Sequence, residues 1–276
     1  MSIGKKLKKR IAVVLAVVAA VTASVFAAVY LIGYISGVNE AERLKDLSEA
    51  AQAEAAAAPV PAVTETEPAA ADLEPAETEA AEAARPEKPR QIMAKYGKLL
   101  ELNDEVRGWI KIDGTRVDYP FLQHNDNEYY LHMSIENKKS GRGGVYIDYR
   151  NNGDLSSKNT LVYGHNMKDG SMFKDVVKYK NRDFFYSHGI IHMDNLYERI
   201  DWQVFSVYVV DADKETIDPE YPDEAAYIKD LNKFKDRSMF GTDVQLSGED
   251  SIITLVTCSY ETSNSRTIVH AKRISG

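Results

Sequence analysis

From Ile11 to Ile35 the chain runs for 25 residues without a charged side chain, in a stretch dominated by Ala, Val, Leu and Ile. A helix of that length reaches about 37 Å at ~1.5 Å per residue, enough to cross a ~30 Å hydrocarbon core with some tilt. A cleaved signal peptide has an apolar region of roughly 7–15 residues. The longer run predicts a retained anchor, although the small residues around Ala23–Ala28 are of a kind that a peptidase accepts. Lys5, Lys6, Lys8, Lys9 and Arg10 precede the run, and Glu40 and Glu42 follow it. That asymmetry predicts a single pass through the cell membrane, with a cytoplasmic tail over 1–10 and everything after the 11–35 anchor outside.

Residues 36–90 read as an Ala/Glu/Pro-rich extracellular spacer. Asn39 to about Ala58 is rich in Ala, Glu and Leu and can prolong the helix. Beyond it, prolines at 59, 61, 68, 75, 86 and 89 interrupt a segment almost without aromatic or branched apolar residues. Such a segment cannot bury enough surface to offset its ordering entropy, and its like charges stretch it. The folded domain is therefore expected at 91–276. Its charge is mildly acidic, as 13 acids against five bases in 39–90 and five bases in 1–38 leave −5 of the total −8. A nucleic-acid binder carries a basic footprint that is missing here. The chain has one cysteine, which excludes an internal disulfide framework and any zinc site built from several thiolates.

Within 91–276 the pattern is mostly β. Gln91–Leu102 has apolar residues at near-helical spacing. Gly108–Ile112 and Val117–Leu122 alternate as strands around an Asp113-Gly114 turn. Further strands are read at 144–148, 160–163, 190–193, 202–210, 251–258 and 266–271, with short helices at 127–132 and 222–234. Seven or eight strands joined mainly by short turns predict a closed antiparallel barrel with an N-terminal helix and a helix-bearing insertion.

An exported protein with one unpaired thiol raises a question of chemistry. A free cysteine is often just a small buried apolar residue. Cys258, however, ends the strand Thr254-Leu-Val-Thr-Cys where the apolar run gives way to a polar loop, a place that can present a thiol at a barrel rim. A nucleophilic thiolate needs a basic or cationic neighbour. His165 also occupies a strand end, after Thr160-Leu-Val-Tyr-Gly. His192 and His270 lie inside apolar strands and read as packed or surface residues, and His124, His132 and His188 sit in polar turns. Arg266 is separated from Cys258 by a seven-residue loop, so adjacent antiparallel strands bring the two side by side. It is either a surface residue or a fixed donor for a carbonyl or oxyanion.

Taken together, Thr254-Leu-Val-Thr-Cys258 with Arg266, and Leu161-Val-Tyr-Gly-His165-Asn-Met, resemble the signature elements of sortases, most closely those of class B. Asn103-Asp-Glu-Val-Arg-Gly-Trp-Ile, Asp118-Tyr-Pro, Asp126-Asn127 with Tyr130-Leu131, and the insertion near 213–240 extend the resemblance over essentially all of 91–276. It implies a cysteine transpeptidase of Gram-positive-type bacteria, working without a metal or other cofactor. Cys258 would cleave a C-terminal sorting motif of secreted proteins after Thr, through a thioacyl intermediate. A peptidoglycan precursor amine would accept the product, with His165 as acid and base and Arg266 steadying substrate and oxyanion. The family pattern also implies that Asn127, Leu131, Tyr227, Ile228 and Thr257 line the motif groove. Val256 and Ser259 depart from the class B pattern beside the cysteine, so the recognition sequence stays open. Three other readings are kept: a pilin-polymerising sortase using a Lys amine, another wall-active thiol enzyme such as an L,D-transpeptidase, and a non-catalytic anchored binding domain.

Overall fold

The computed structural model describes residues 3–57, 90–215, 217–259, 261 and 264–274. The chain enters as one long helix, α1 (Ile3–Ala57), which contains the apolar span Val13–Ile32. Residues 36–57, the head of the expected spacer, continue this helix rather than leaving it. Leu44, Ser48 and Ala51 of α1 are buried at i, i+4 and i+7, the spacing that aligns side chains on one helix face. Leu44 packs with Tyr96, Leu99 and Trp109 of the folded domain. The Pro-rich remainder of the expected spacer, 58–89, lies outside the described residues.

After a 3₁₀ turn (Ala94–Tyr96) and α2 (Gly97–Leu102) come β1 (Val106–Lys111), β2 (Asp118–Leu122), α3 (Tyr129–His132), β3 (Val145–Ile147) and β4 (Asn159–Tyr163). A 3₁₀ segment (Phe173–Lys180) and α4 (Arg182–Ser187) lead to β5 (Ile190–Asn195) and β6 (Asp201–Asp211). α5 (Glu224–Asp236) forms the insertion before β7 (Ile252–Cys258) and β8 (Ser265–Arg273). The eight strands close into a barrel in the order β1-β2-β3-β4-β7-β8-β6-β5. Closure is as the sequence predicts, but the barrel is mixed, because β2–β3 and β4–β7 pair in parallel. A tight turn forces antiparallel pairing, whereas the long 123–144 connection lets the chain re-enter in the same direction. β4 and β7 become neighbours only after β5 and β6 have been laid on the opposite wall.

Side-chain alternation sorts the walls into one inner and two outer cores. Val145, Ile147, Val162, Ile253, Leu255, Val269 and Ala271 point inward with Trp202 and Phe121. Outward residues join two separate clusters. Tyr146 and Tyr163 belong to one, beneath α1, α2 and α3. Ile252, Ile268, Phe205 and Tyr208 belong to the other, beneath Tyr227, Leu231 and Phe234 of α5.

The second cluster is keyed by a buried polar chain. Tyr208 Oη donates to His270 Nε2 at 2.8 Å, so the other ring nitrogen, Nδ1, carries the proton toward Thr254 Oγ1, also at 2.8 Å. Thr254 then donates to Asn159 Oδ1 at 2.7 Å, and Asn159 donates to Tyr221 Oη at 3.0 Å. The Tyr208 link requires Nε2 to accept and hence a neutral imidazole, which stacks on Phe234 at 4.1 Å between centroids. Burial, helped by the Arg237 charge, pushes the His270 pKa down to about 3 from 6.5. The unfolded chain thus takes up this proton first. Stability from the group is complete above pH 6.5 and drains away as pH falls toward 3, by about 1 kcal/mol per pH unit. His270→Gln should lower stability at neutral pH by about 1–3 kcal/mol. In denaturant titrations it should also flatten the acid-side loss relative to the parent, and equal slopes in the two proteins would refute the assignment.

Candidate active site

β7 lies between β4, its parallel neighbour, and β8, its antiparallel one. The register fixes which side chains share a row on the outer wall. One row holds Tyr146, Tyr163, Val256, Ile268 and Tyr208, each directly paired with the next across adjacent strands. Two residues further along each strand the next row contains Val210, Arg266 and Cys258, again directly paired. Advancing β4 by the same two residues from Tyr163↔Val256 puts His165 at the level of Cys258. Contacts past the end of β4 support that alignment. Gly164 N donates to Val256 O at 3.3 Å, Thr257 Oγ1 donates to Gly164 O at 2.7 Å, and Asn166 Nδ2 donates to Cys258 O at 2.8 Å. Cysteine is therefore flanked by histidine on one side and arginine on the other, in the strip of wall between the two outer cores.

Each member is held by identifiable contacts. Ser259 N donates to Ser265 O at 2.8 Å. The adjacent Cys258–Arg266 pair is therefore of the non-hydrogen-bonded type, in which opposed side chains come closest. Cys258 is a free, partly exposed thiol. Arg266 Nη1 donates to Ser265 O at 3.2 Å, a neutral acceptor that orients the guanidinium without cancelling its charge. His165 places Nε2 2.8 Å from Leu131 O. A carbonyl can only accept, so Nε2 bears the proton of that bond and Nδ1 is the nitrogen left for proton transfer.

The loop carrying His165 is buttressed from below. Phe173 N donates to His165 O at 2.9 Å. The Phe173 ring lies directly beneath Gly164, where a Cβ would come within 2.6 Å of it, so only glycine fits between strand end and ring. On the other flank the residue after the nucleophile is braced. Lys180 Nζ donates to Ser259 Oγ at 3.1 Å and pairs with Glu261, which also accepts from Ser259. Partial burial opposes the Glu261 charge, but the Lys180 and Ser259 bonds outweigh it and hold the carboxyl at about 2.

The expected groove residues separate. Asn127 is half-buried and turned toward the protein, its Nδ2 donating to Asp148 at 2.9 Å and its Oδ1 accepting from Tyr149 N at 3.1 Å. Leu131 touches the site through the carbonyl that holds His165. Ile228 is exposed on α5. Tyr227 is not, being 1% exposed with Oη bonded to the carbonyls of Lys158 and Asp250. It packs α5 onto the barrel, because helical spacing aligns it with Leu231 and Phe234 on the inner face. Thr257 is buried too, one residue out of phase with Cys258, and serves the β4–β7 junction rather than the outer face.

Sequence reasoning did not single out the floor of the site. Tyr146 stands in the outer row next to that of Cys258, and burial, with neighbouring carboxylates and Cys258 adding smaller effects, raises its phenol pKa. Tyr146 stacks on Tyr163 at 5.3 Å, and Tyr163 Oη donates to Asp148 at 3.0 Å. Burial alone would raise the Asp148 carboxyl. Bonds from the Arg150 side chain, the Arg150 amide and Asn127 reverse that and keep it ionised. Asn166 was visible inside a quoted motif, but its role depends on contact across 92 residues of sequence. Among the described residues no group of three or more His, Cys, Asp or Glu is disposed around a common metal position.

The comparisons agree on one family. The Sortase domain matches residues 110–274. Sortase B of Listeria monocytogenes is 39% identical over 171 residues, covering 62% of this chain and 70% of the relative. A Bacillus anthracis sortase B structure superposes with a TM-score of 0.65 at 35% identity, covering 68% of this chain and 86% of that one. The Staphylococcus aureus sortase B–substrate complex gives a TM-score of 0.63 at 32% identity, covering 67% and 86%.

Removing the strut between histidine loop and cysteine strand tests the site's geometry. Asn166→Ala leaves the Cys258 carbonyl without that donor and should cost about 1–3 kcal/mol of stability. It should also speed amide exchange at Phe173, whose N–H holds the other side of the His165 loop. Unchanged exchange there would mean that Asn166 does not tie the two segments.

Proposed function

Because this chain belongs to the sortase family, whose class B members are its relatives and which are cysteine transpeptidases acting on sorting-motif proteins, we propose that Cys258, His165 and Arg266 carry that reaction here. What supports the reading is the direct Cys258–Arg266 pairing on the outer wall, together with the parallel β4–β7 register that ends at Tyr163↔Val256 and, extended by two residues, brings His165 level with Cys258. A thiolate at Cys258 adds to the carbonyl carbon of the motif Thr, and the carbonyl electrons move onto oxygen. Arg266 lies on the neighbouring strand, where its fixed donors meet that oxyanion. Collapse of the intermediate expels the downstream amine, which takes a proton from Nδ1–H of His165. A thioester to Cys258 remains. An incoming amine attacks it, the neutral imidazole removes the proton, and the thiolate leaves. Each half reverses the other, so one histidine in one place serves both.

The amine is that of a peptidoglycan precursor, and the donors are secreted proteins carrying a C-terminal sorting motif. α1 anchors the enzyme with its amino end cytoplasmic and its barrel outside, as the charge asymmetry about the apolar span supports. Leu131 and Ile228 border the motif from opposite sides of the row. Asn127 acts by keeping the Asp148–Tyr163 floor in place, and Tyr227 and Thr257 act as supports.

Intact-protein mass spectrometry with a sorting-motif peptide library reads the reaction directly. Wild type should accumulate a thioacyl adduct on Cys258, and Cys258→Ala should give none. His165→Ala should lose nearly all turnover. Arg266→Lys should be severe, by roughly 10²-fold or more, because a point ammonium cannot reproduce the guanidinium fork. Near-normal turnover in Arg266→Lys would remove it from the mechanism. The rate should be bell-shaped in pH, with one limb requiring the thiolate and the other the protonated imidazole. A flat profile from neutral into alkaline pH would contradict the pairing.

A further inference from the structure

The apolar span of α1 does not end in open space. Tyr30, two residues from the end of the Val13–Ile32 span, donates its hydroxyl to Lys168 O at 3.0 Å. Val29 and Tyr30 share a surface hollow with Ser140, Gly141 and Arg142 and with the 166–169 loop. Those two segments belong to the folded domain. The 166–169 loop directly follows His165, and the 140–142 turn leads into β3.

The pose is fixed rather than incidental. α1 continues without a break through the seam of Leu44, Ser48 and Ala51, and Arg43 pairs with Glu136 beside it. Helix and barrel therefore keep one relative height. From Tyr30 to Glu49, which lies with Arg199 along the far part of the seam, the helix rises about 28 Å. The end of the domain nearest the apolar span is thus the one bearing the His165 loop, and the end beside Arg199 points away from it. A tyrosine near the end of an apolar span is suited to the headgroup level, where its ring stays apolar-side and its hydroxyl reaches polar partners.

Charge at this end suits the same partner. The chain as a whole is acidic, at −8. Yet the exposed charged residues within 139–142 and 166–169 are Lys139 and Lys168, while the acid among them, Asp169, is neutralised by Arg142 at 2.8 Å. Each lysine held near an anionic lipid surface is favourable by about 1 kcal/mol at most, and that attraction is screened within a Debye length. We propose that the 139–142 turn and the 166–169 loop form a membrane-contact face for anionic lipid headgroups, so that the His165 side of the active site is held at the bilayer surface. The proposal rests on reading α1 as a membrane span.

The test uses the full chain reconstituted in vesicles. Cys258→Ala removes the single native thiol, and one fluorophore is attached at Lys168→Cys or, in a second sample, at Arg199→Cys. Quenchers are carried on lipid headgroups, and resistance to alkaline extraction reports integration. Integrated protein should be quenched at 168 at least about fivefold more than at 199, since about 28 Å exceeds the reach of a headgroup quencher. With phosphatidylglycerol vesicles, Lys139→Glu should reduce the quenching at 168, and phosphatidylcholine vesicles should lessen that dependence. Equal quenching at the two positions in integrated protein overturns the proposal while leaving the anchor reading intact. So does indifference to Lys139→Glu and lipid charge. Extraction of the chain from the vesicles overturns both.

Discussion

The position of β7, hydrogen-bonded to β4 on one edge and to β8 on the other, is the constraint on which the site depends. Strand side chains alternate, so a slip of one residue on either edge would turn Cys258 or a partner to the opposite face. The register is secured on both sides of the sheet. Ile253, Leu255, Val269 and Ala271 fill the inner core. On the outer face the His270–Thr254–Asn159 chain links β8, β7 and β4 by bonds that only one alignment satisfies. This neutral, fully buried histidine lies four residues along β8 from Arg266, on the same face. A structural imidazole and a candidate catalytic one thus occupy one wall, and their environments separate their tasks. His270 is sealed between aromatic rings, whereas His165 is partly exposed at an open strand end.

The mixed barrel is what brings distant sequence together. A wholly antiparallel barrel could still have placed Cys258 against Arg266, since a short loop joins them. It would not by itself have brought His165 alongside. That neighbour arises from the parallel β4–β7 pairing, which exists because β5, β6 and α5 are laid elsewhere before the chain returns as β7. Local chemistry then refines the arrangement. Gly164 admits the Phe173 ring, Leu131 O selects the proton-bearing nitrogen of His165, and Asn166 ties the histidine loop to the cysteine's own carbonyl.

Much of this was legible in the sequence. Apolar runs such as Ser251–Cys258, and alternation around the Asp113-Gly114 turn, marked the strands, and helical spacing marked α5. Strand ends at His165 and Cys258 stood out because an apolar run gives way there to polar loop. Strand order and the two parallel pairings were not legible, because they depend on contacts across long connections and leave no periodic trace. The 3₁₀ segment Phe173–Lys180 and α4 were missed for a related reason. They are too short to display a period, and α4 is announced only by the Asn181 side chain accepting from Phe184 N. Tyr227 and Thr257 mark a further limit. A family pattern can place a residue next to a groove, but whether its side chain faces the groove or the core is decided by phase on the helix or strand.

The claim that three side chains share one open face can be checked without any peptide. Cys258 would be alkylated with a small reagent in protein carrying ¹⁵N-labelled histidine and arginine, and the ring and guanidinium resonances recorded before and after. His165 and Arg266 should both shift, while His192, on β5 across the barrel, stays in place. Movement of neither His165 nor Arg266 on modification of the sulfur would contradict it.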